Sequence, residues 1–151
     1  MKKQNFFITI IEGVPTKKEL KCLINLYSSV FKDAQIDFFI ERIKQKKDVV
    51  SIIAYENAIP IGFKIGYQYN ETVFYSWIGG VLPDYRKRKV ASTLAFSQEK
   101  WAHKKGYSKL RTKSMNRFKP MLIFNLKNGF DIVQVYTNDS NQTKIVFEKT
   151  I

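Results

Sequence analysis

One cysteine and one histidine are present in 151 residues, and these two scarcities exclude several chemistries at once. With Cys22 alone no disulfide can form within the chain, which suits a reducing compartment, so a cytoplasmic location is expected. Cys22 falls on the apolar face of a predicted helix and reads as packing. One Cys and one His do not make a zinc site, and no metal is expected. A Ser-His-Asp or Cys-His group would have to use His103, which stands in a helical stretch beside Lys104 and Lys105 and reads as a surface residue. Long apolar runs are missing as well. No stretch approaches the roughly 20 apolar residues that a membrane span needs, so no membrane partner is expected. The apolar run in MKKQNFFITIIEGVP stops at Glu12 without a small-residue cleavage site and reads as a first strand. Neither GxxxxGKS/T nor GxGxxG occurs, which removes the P-loop and the dinucleotide fingerprint.

Acids are scarce too, with 13 Asp and Glu against 26 Lys and Arg and a net charge of +13. The excess is local. Residues 86–119 hold twelve Lys/Arg and a single acid, Glu99, whereas the remaining residues nearly balance. A localised field of this kind attracts nucleic acid, an anionic membrane or a phosphate-bearing cofactor. Apolar residues, by contrast, make up 44% of the chain and aromatics 15%, enough to fill the core of one domain over residues 1–151.

Periodicity gives the order of elements. A strand at about 5–11 precedes a helix capped by Thr16, with Leu20, Leu23, Ile24, Tyr27 and Phe31 at helical spacing, and a shorter helix with Ile36, Phe39, Ile40 and Ile43 on one side. The period then changes. Residues 49–56, 59–69 and 72–82 are rich in β-branched and aromatic side chains, and Asn57-Ala58 and Asn70-Glu71 between them predict a three-stranded meander. From Val90 a helix runs to near Gly106, a strand follows at 108–115, and a short helix has Pro120 in its first turn and Gly129 just past its end. Residues 131–137 and 143–150 predict a closing hairpin. The fold class is α/β of the α+β kind, in the order β-α-α-β-β-β-α-β-α-β-β, with a mixed, mostly antiparallel sheet flanked by helices.

At the junction GGVLPDYRKRKVASTLAF, residues 79–96, Arg86, Lys87, Arg88 and Lys89 stand between a strand and a helix. The first N–H groups of a helix lack internal partners and face the positive end of its dipole, so such a junction favours an anion. Val81-x-Pro83-x-x-Arg86-x-x-Lys89-x-Ala91 resembles the acetyl-coenzyme A loop of the GNAT superfamily of N-acetyltransferases, with Lys89 where the family usually has its first glycine. Asn116 to Phe130 is similar to the family's second cofactor segment, and the element order is the family's, so the resemblance spans essentially the whole chain.

The resemblance implies acetyl-coenzyme A as co-substrate and a primary amine on a small molecule or peptide as acceptor, attacked directly without an acyl-enzyme. It also makes a homodimer possible. It places the cofactor on Gly80, Val81, Arg86, Lys87, Arg88, Lys89, Val90, Ala91, Ser92, Asn116, Phe124 and Asn125, with donors near Gly79 to Val81 where paired glycines permit a bulge. The family's usual acid, a Tyr, is replaced by Asn125, which can hydrogen-bond the sulfur but gives it no proton; Tyr136 or water are substitutes. Alternation groups Tyr75 and Trp77 with Gly79 and Val81 toward the acceptor, and Tyr75 joins Asn125 as a candidate catalytic residue. That strand offers no carboxylate as base, and Glu71 reads as a turn residue. Tyr67, Tyr69, Tyr75 and Trp77 read either as core or as an acceptor pocket, in which Tyr67, Tyr75 and Trp77 would favour a cationic or planar amine. Two rivals remain: a nucleic-acid-binding module using residues 86–119, which lacks interleaved exposed aromatics, and a domain that binds coenzyme A without turnover.

Overall fold

In the computed structural model, which describes residues 5–151, local chemistry sets the helix and turn boundaries. Strand β1 (Phe6–Glu12) leads to Thr16, whose hydroxyl accepts from the Glu19 N–H at 3.2 Å. The Glu19 carboxylate accepts from the Thr16 N–H at 2.8 Å, a reciprocal cap that starts α1 (Lys17–Val30). Helix α2 (Ile36–Gln45) follows, and the two helices set Leu23, Leu26, Tyr27, Phe39 and Ile43 against Ile53, Phe63, Ile65 and Tyr67 of the sheet. Tyr27 stacks on Phe39 with ring centroids 4.3 Å apart. Such offset aromatic pairs add to the burial that holds α1 and α2 on this face.

The meander is β2 (Val50–Glu56), β3 (Ile59–Gln68) and β4 (Val73–Val81). Asn57 and Ala58 both have positive φ, 50° and 66°, as a two-residue primed hairpin turn requires. The second connection is wider than Asn70-Glu71. The Asn70 side-chain oxygen accepts from the N–H groups of Thr72 and Val73, at 3.0 and 2.8 Å, and this bends three residues, Asn70 to Thr72, around one carboxamide. A short 3₁₀ turn (Pro83–Tyr85) joins β4 to α3 (Val90–Lys104). Then come β5 (Lys109–Met115), α4 (Lys119–Lys127), β6 (Asp131–Thr137) and β7 (Thr143–Thr150).

The seven strands lie in the order β1-β2-β3-β4-β5-β7-β6, and only the β4–β5 pair is parallel. Helix α3 covers the face opposite α1 and α2, with Val90 and Leu94 on Ile52, Ile61 and Val81, and Trp101 and Ala102 on Phe74 and Leu110. The end of α4 lies on the same face as α3: Phe130 packs on the Trp101 cluster, and Lys149 beside Gly129 forms an ion pair with Glu99 of α3 at 2.9 Å. Among the described residues no helix is long and apolar enough to cross a membrane.

Strand β4 corrects two expectations. Its register with β3 shifts where Ile65 pairs Ile78 and Gly66 pairs Ser76, so the extra residue is Trp77, and the bulge does not sit at the paired glycines. The inserted residue reverses the alternation beyond it. Tyr75 and Trp77 pack on the α1/α2 side, and a Cβ on Gly80 would meet Val30 of α1 at 2.5 Å, whereas Val81 joins the α3 cluster and a Cβ on Gly79 would touch Lys64. Tyr75 and Trp77 therefore do not share a face with Gly79 and Val81.

Candidate active site

Strands β4 and β5 pair only at Val73–Lys109, Phe74–Leu110 and Tyr75–Arg111. The Thr112 hydroxyl then donates to the Ser76 carbonyl at 2.8 Å, the last tie between them. Beyond it β4 runs on to Val81, still bonded to β3, while β5 runs to Met115, bonded to β7. The β5-facing edge of β4 from Trp77 to Val81 has no strand partner among the described residues. Unpaired edge groups of this kind bind an extended chain carrying amides.

The loop after β4 leads from this edge to the start of α3. Lys87 and Lys89 both take left-handed backbone, with φ of 62° and 64°, and Lys89 is the residue that caps α3. Lys89 thus adopts the conformation for which glycine is preferred, at a cost of roughly 1 kcal/mol. No side chain caps the helix, and its first internal bond runs from the Thr93 N–H to the Lys89 carbonyl at 3.0 Å. The N–H groups of Val90, Ala91 and Ser92 are left for an external acceptor, and Ala91 and Ser92 are exposed. The four cations divide. Arg86 turns back and donates from Nε to the Val81 carbonyl at 3.1 Å, bracing the loop on β4. Arg88 lies over the Tyr85 ring and pairs with Glu56 at 3.3 Å. Lys87 and Lys89 are exposed and have no ion pair among the described residues.

On the α3 side of the sheet the residues expected to form a second cofactor segment are placed unevenly. Asn125 is buried in α4, its backbone carbonyl accepting from the N–H groups of Asn128 and Phe130 at 3.2 and 3.0 Å. Its carboxamide makes no hydrogen bond among the described residues. Phe124 is half-buried, whereas Asn116 is exposed in the β5–α4 connection, beside Gln142 and Thr143 of the β6–β7 turn. Polar groups unremarked in the sequence also gather on this face. Lys64 lies opposite Gly79 in β3, with burial lowering its ammonium to a pKa of about 8. Gln98 of α3 is 1% exposed, and neither end of its amide has a partner. The alternation Gly62, Lys64, Gly66 in an otherwise apolar strand was the available signal for Lys64.

The α1/α2 side holds the aromatic set. Tyr67, Tyr75 and Trp77 come together, with Tyr67 ring centroids 5.3 Å from Tyr75 and 6.0 Å from Trp77. Tyr67 belongs to the core, with its ring buried, while its hydroxyl accepts from Arg42 Nη1 at 3.0 Å. Burial, reinforced by the neighbouring Tyr67, pushes the Tyr75 hydroxyl up to about 12, so at neutral pH it is a hydrogen-bond donor and not a base. Cations already lie over three rings of this set, Trp77, Tyr67 and Tyr69. Arg42 lies 5.5 Å from the Trp77 centroid, Lys46 5.2 Å from Tyr67, and Arg111 4.8 Å from Tyr69. Two of the three rings expected to seat a cationic amine, Tyr67 and Trp77, thus already carry one of the protein's own cations.

Tyr75 and Asn125, the two candidate catalytic residues, lie on opposite faces of the sheet, with the β4–β5 gap between those faces. Glu71 is exposed at its turn, and His103 is exposed in the last turn of α3. Cys22 is half-buried against Tyr55, with burial raising its thiol above the ordinary value, as a packing residue requires.

The backbone matches solved structures of low sequence identity. A GNAT family acetyltransferase from Elizabethkingia anophelis with acetyl-CoA bound superimposes with a TM-score of 0.78 at 16% identity, covering 99% of this chain and 100% of that one. The PaiA N-acetyltransferase of Thermoplasma acidophilum, in complex with coenzyme A, gives 0.70 at 19% identity over 95% and 99% of the two chains. Ard1 from Thermoplasma volcanium gives 0.79 at 14% identity over 95% and 97%. These likenesses establish the fold. No curated protein matches the chain by sequence. The profile of the acetyltransferase (GNAT) family matches residues 19–130, from the first turn of α1 through the β4–β5 gap to the end of the α4 segment, and the chain belongs to that family.

Proposed function

We propose that the protein transfers an acetyl group from acetyl-coenzyme A to the primary amine of an acceptor, by direct attack in a ternary complex. The observation that carries this reading is the unpaired β4 edge at Trp77–Val81 leading into the uncapped start of α3. The fit is chemical. An extended arm with two amides matches an open strand edge, and a diphosphate matches three free N–H groups beside Lys87 and Lys89. When bound, acetyl-coenzyme A supplies a thioester carbonyl, so that a C–N bond to the amine forms as the C–S bond breaks.

The chain's residues then have separable tasks. The backbone donors of Gly79 and Val81, which face away from β3, hold and polarise the acyl end, and Val90, Ala91 and Ser92 with Lys87 and Lys89 hold the anionic end. Arg86 is a positioning residue for that loop, through its bond to Val81. Tyr75, protonated at neutral pH, donates a hydrogen bond on the acceptor side, and Asn125 can donate one to the sulfur from the α4 side. Neither takes the amine's proton, which leaves for water. A thiol with a pKa of roughly 8.5 leaves without a strong acid, so an amide in place of a phenol lowers the rate without stopping it.

Calorimetry with coenzyme A and acetyl-coenzyme A, followed by thiol release with a panel of amines, tests the reading. The expected result is association with a dissociation constant below about 1 mM and amine-dependent thiol release. No association at millimolar cofactor would overturn it. Association with thiol release no faster than hydrolysis across all amines would instead make this a coenzyme A binder.

A further inference from the structure

The acceptor side of the β4–β5 gap carries a charge pattern that the catalytic reading does not use. Four cations line it, from two elements: Arg42 on α2 and Lys46 at its end, and Arg111 and Lys113 on β5. Each lies over an aromatic ring, with Arg42 also 4.5 Å from the Phe38 centroid and Lys113 5.6 Å from Tyr136. The acid engaged among them is Glu148, which holds Arg111 Nη1 at 3.0 Å. Arg111 is only partly satisfied by this pair, because its Nε is buried without a partner. Arg42 uses Nη1 on the Tyr67 hydroxyl and has no ion pair among the described residues.

We propose that the acceptor is an α-amine with an acidic side chain close to its nitrogen, recognised by Arg42 and Arg111. The proposal rests on the acetyltransferase reading and narrows it to a substrate class. An ammonium-rich acceptor such as a polyamine or a lysine-rich peptide meets four cations, with Glu148 paired to Arg111, and finds Tyr67, Tyr69 and Trp77 already carrying a cation. An anionic acceptor meets two guanidinium groups held by ring stacking, which suits bidentate carboxylate recognition. The same field explains the missing base. Cations around the nitrogen favour its neutral form, and the α-amino group of a peptide, with an ordinary pKa near 8, then loses its proton to water without a carboxylate's help. Two sources share this chemistry, a free acidic amino acid and an acidic peptide N-terminus.

The test compares matched pairs at saturating acetyl-coenzyme A: glutamate against lysine, and hexapeptides with free N-termini beginning Glu-Glu against Lys-Lys. The acidic member of at least one pair is expected to show a kcat/KM at least about tenfold higher, and the pair that responds identifies the source. Arg42→Gln should cut that ratio severalfold through KM, and Arg42→Lys, which keeps the charge without the planar fork, should restore only part of it. Equal or faster turnover of the basic members overturns the proposal, as does an unchanged ratio in folded Arg42→Gln protein. If no member is acetylated, N-acetylglutamate and Nα-acetyllysine are titrated into protein pre-mixed with coenzyme A, followed by tryptophan fluorescence. Association of the acidic product alone supports the proposal, and association of both or neither overturns it. Failure of coenzyme A itself to bind in calorimetry would sink the acetyltransferase reading, whereas the fluorescence titration judges the anion site separately.

Discussion

Lys64 is a cation placed where an ammonium is poorly solvated. Burial lowers its pKa from the ordinary 10.5 to about 8, so the folded protein disfavours the charged form that the unfolded chain keeps. The sign follows directly. Below pH 8 the unfolded state gains nothing from proton uptake that the native state escapes, and the full penalty is present; between pH 8 and 10.5 the unfolded state binds more protons, so stability rises with pH and the penalty disappears. Because the side chain is only half-buried, about 2 kcal/mol is the expected size. Lys64→Met should therefore raise stability by about that amount at pH 7 in urea unfolding, with the gain shrinking toward zero by pH 10.5. A gain that stays constant across this range would show that the ammonium is not the cause. At this scale the sequence was partly legible. Arg86 to Lys89 stood out as a charged turn, but that Lys89 holds a glycine's backbone, and that Arg86 braces β4 rather than reaching outward, depend on φ angles and a side-chain path that residue types do not encode. Arg42 was passed over because its partners, Tyr67 and Trp77, are 25 or more residues away and meet it only once α2 packs on the sheet.

Elements were the most legible level, because helix caps and hairpin turns are local. Thr16 with Glu19, Pro120 with Gly129, and Asn57 with Ala58 fix their boundaries through bonds or backbone preferences within a few residues. The bulge in β4 was not legible. Trp77 is no marker of an inserted residue, and strict alternation through Tyr75, Trp77, Gly79 and Val81 put four residues on one face that in fact divide two and two. The glycines there serve proximity: Gly80 lets α1 sit directly on β4. Gly80→Val places new carbons where the Val30 side chain lies, with the Cβ alone 2.5 Å from it. Such overpacking costs about 1–3 kcal/mol, read as a lowered urea midpoint. Because α1 must move off the strand edge, affinity for coenzyme A should fall as well. Unchanged stability would mean that α1 does not bear on β4 as described.

The whole molecule is a sheet with two chemically distinct faces that meet where β4 and β5 part. Helices α3 and α4 and the basic loop form the side that suits an anionic, amide-bearing ligand; α1, α2 and the cation-capped aromatics form the other. The net charge of +13 is legible in composition, but its division between these two sides appears only in the folded chain, since Arg42 and Arg111 are 69 positions apart in sequence. The strand gap itself leaves no sequence mark beyond the element order, because it is an absence of pairing. Its claim to be the cofactor site is tested most directly by amide NMR of the protein titrated with coenzyme A. The N–H signals of Gly79 and Val81 and of Val90 to Ser92 should shift together and become protected from exchange, with signals at β1 and β2 little changed. Binding that shifts other amides and leaves these two groups in place would contradict the account.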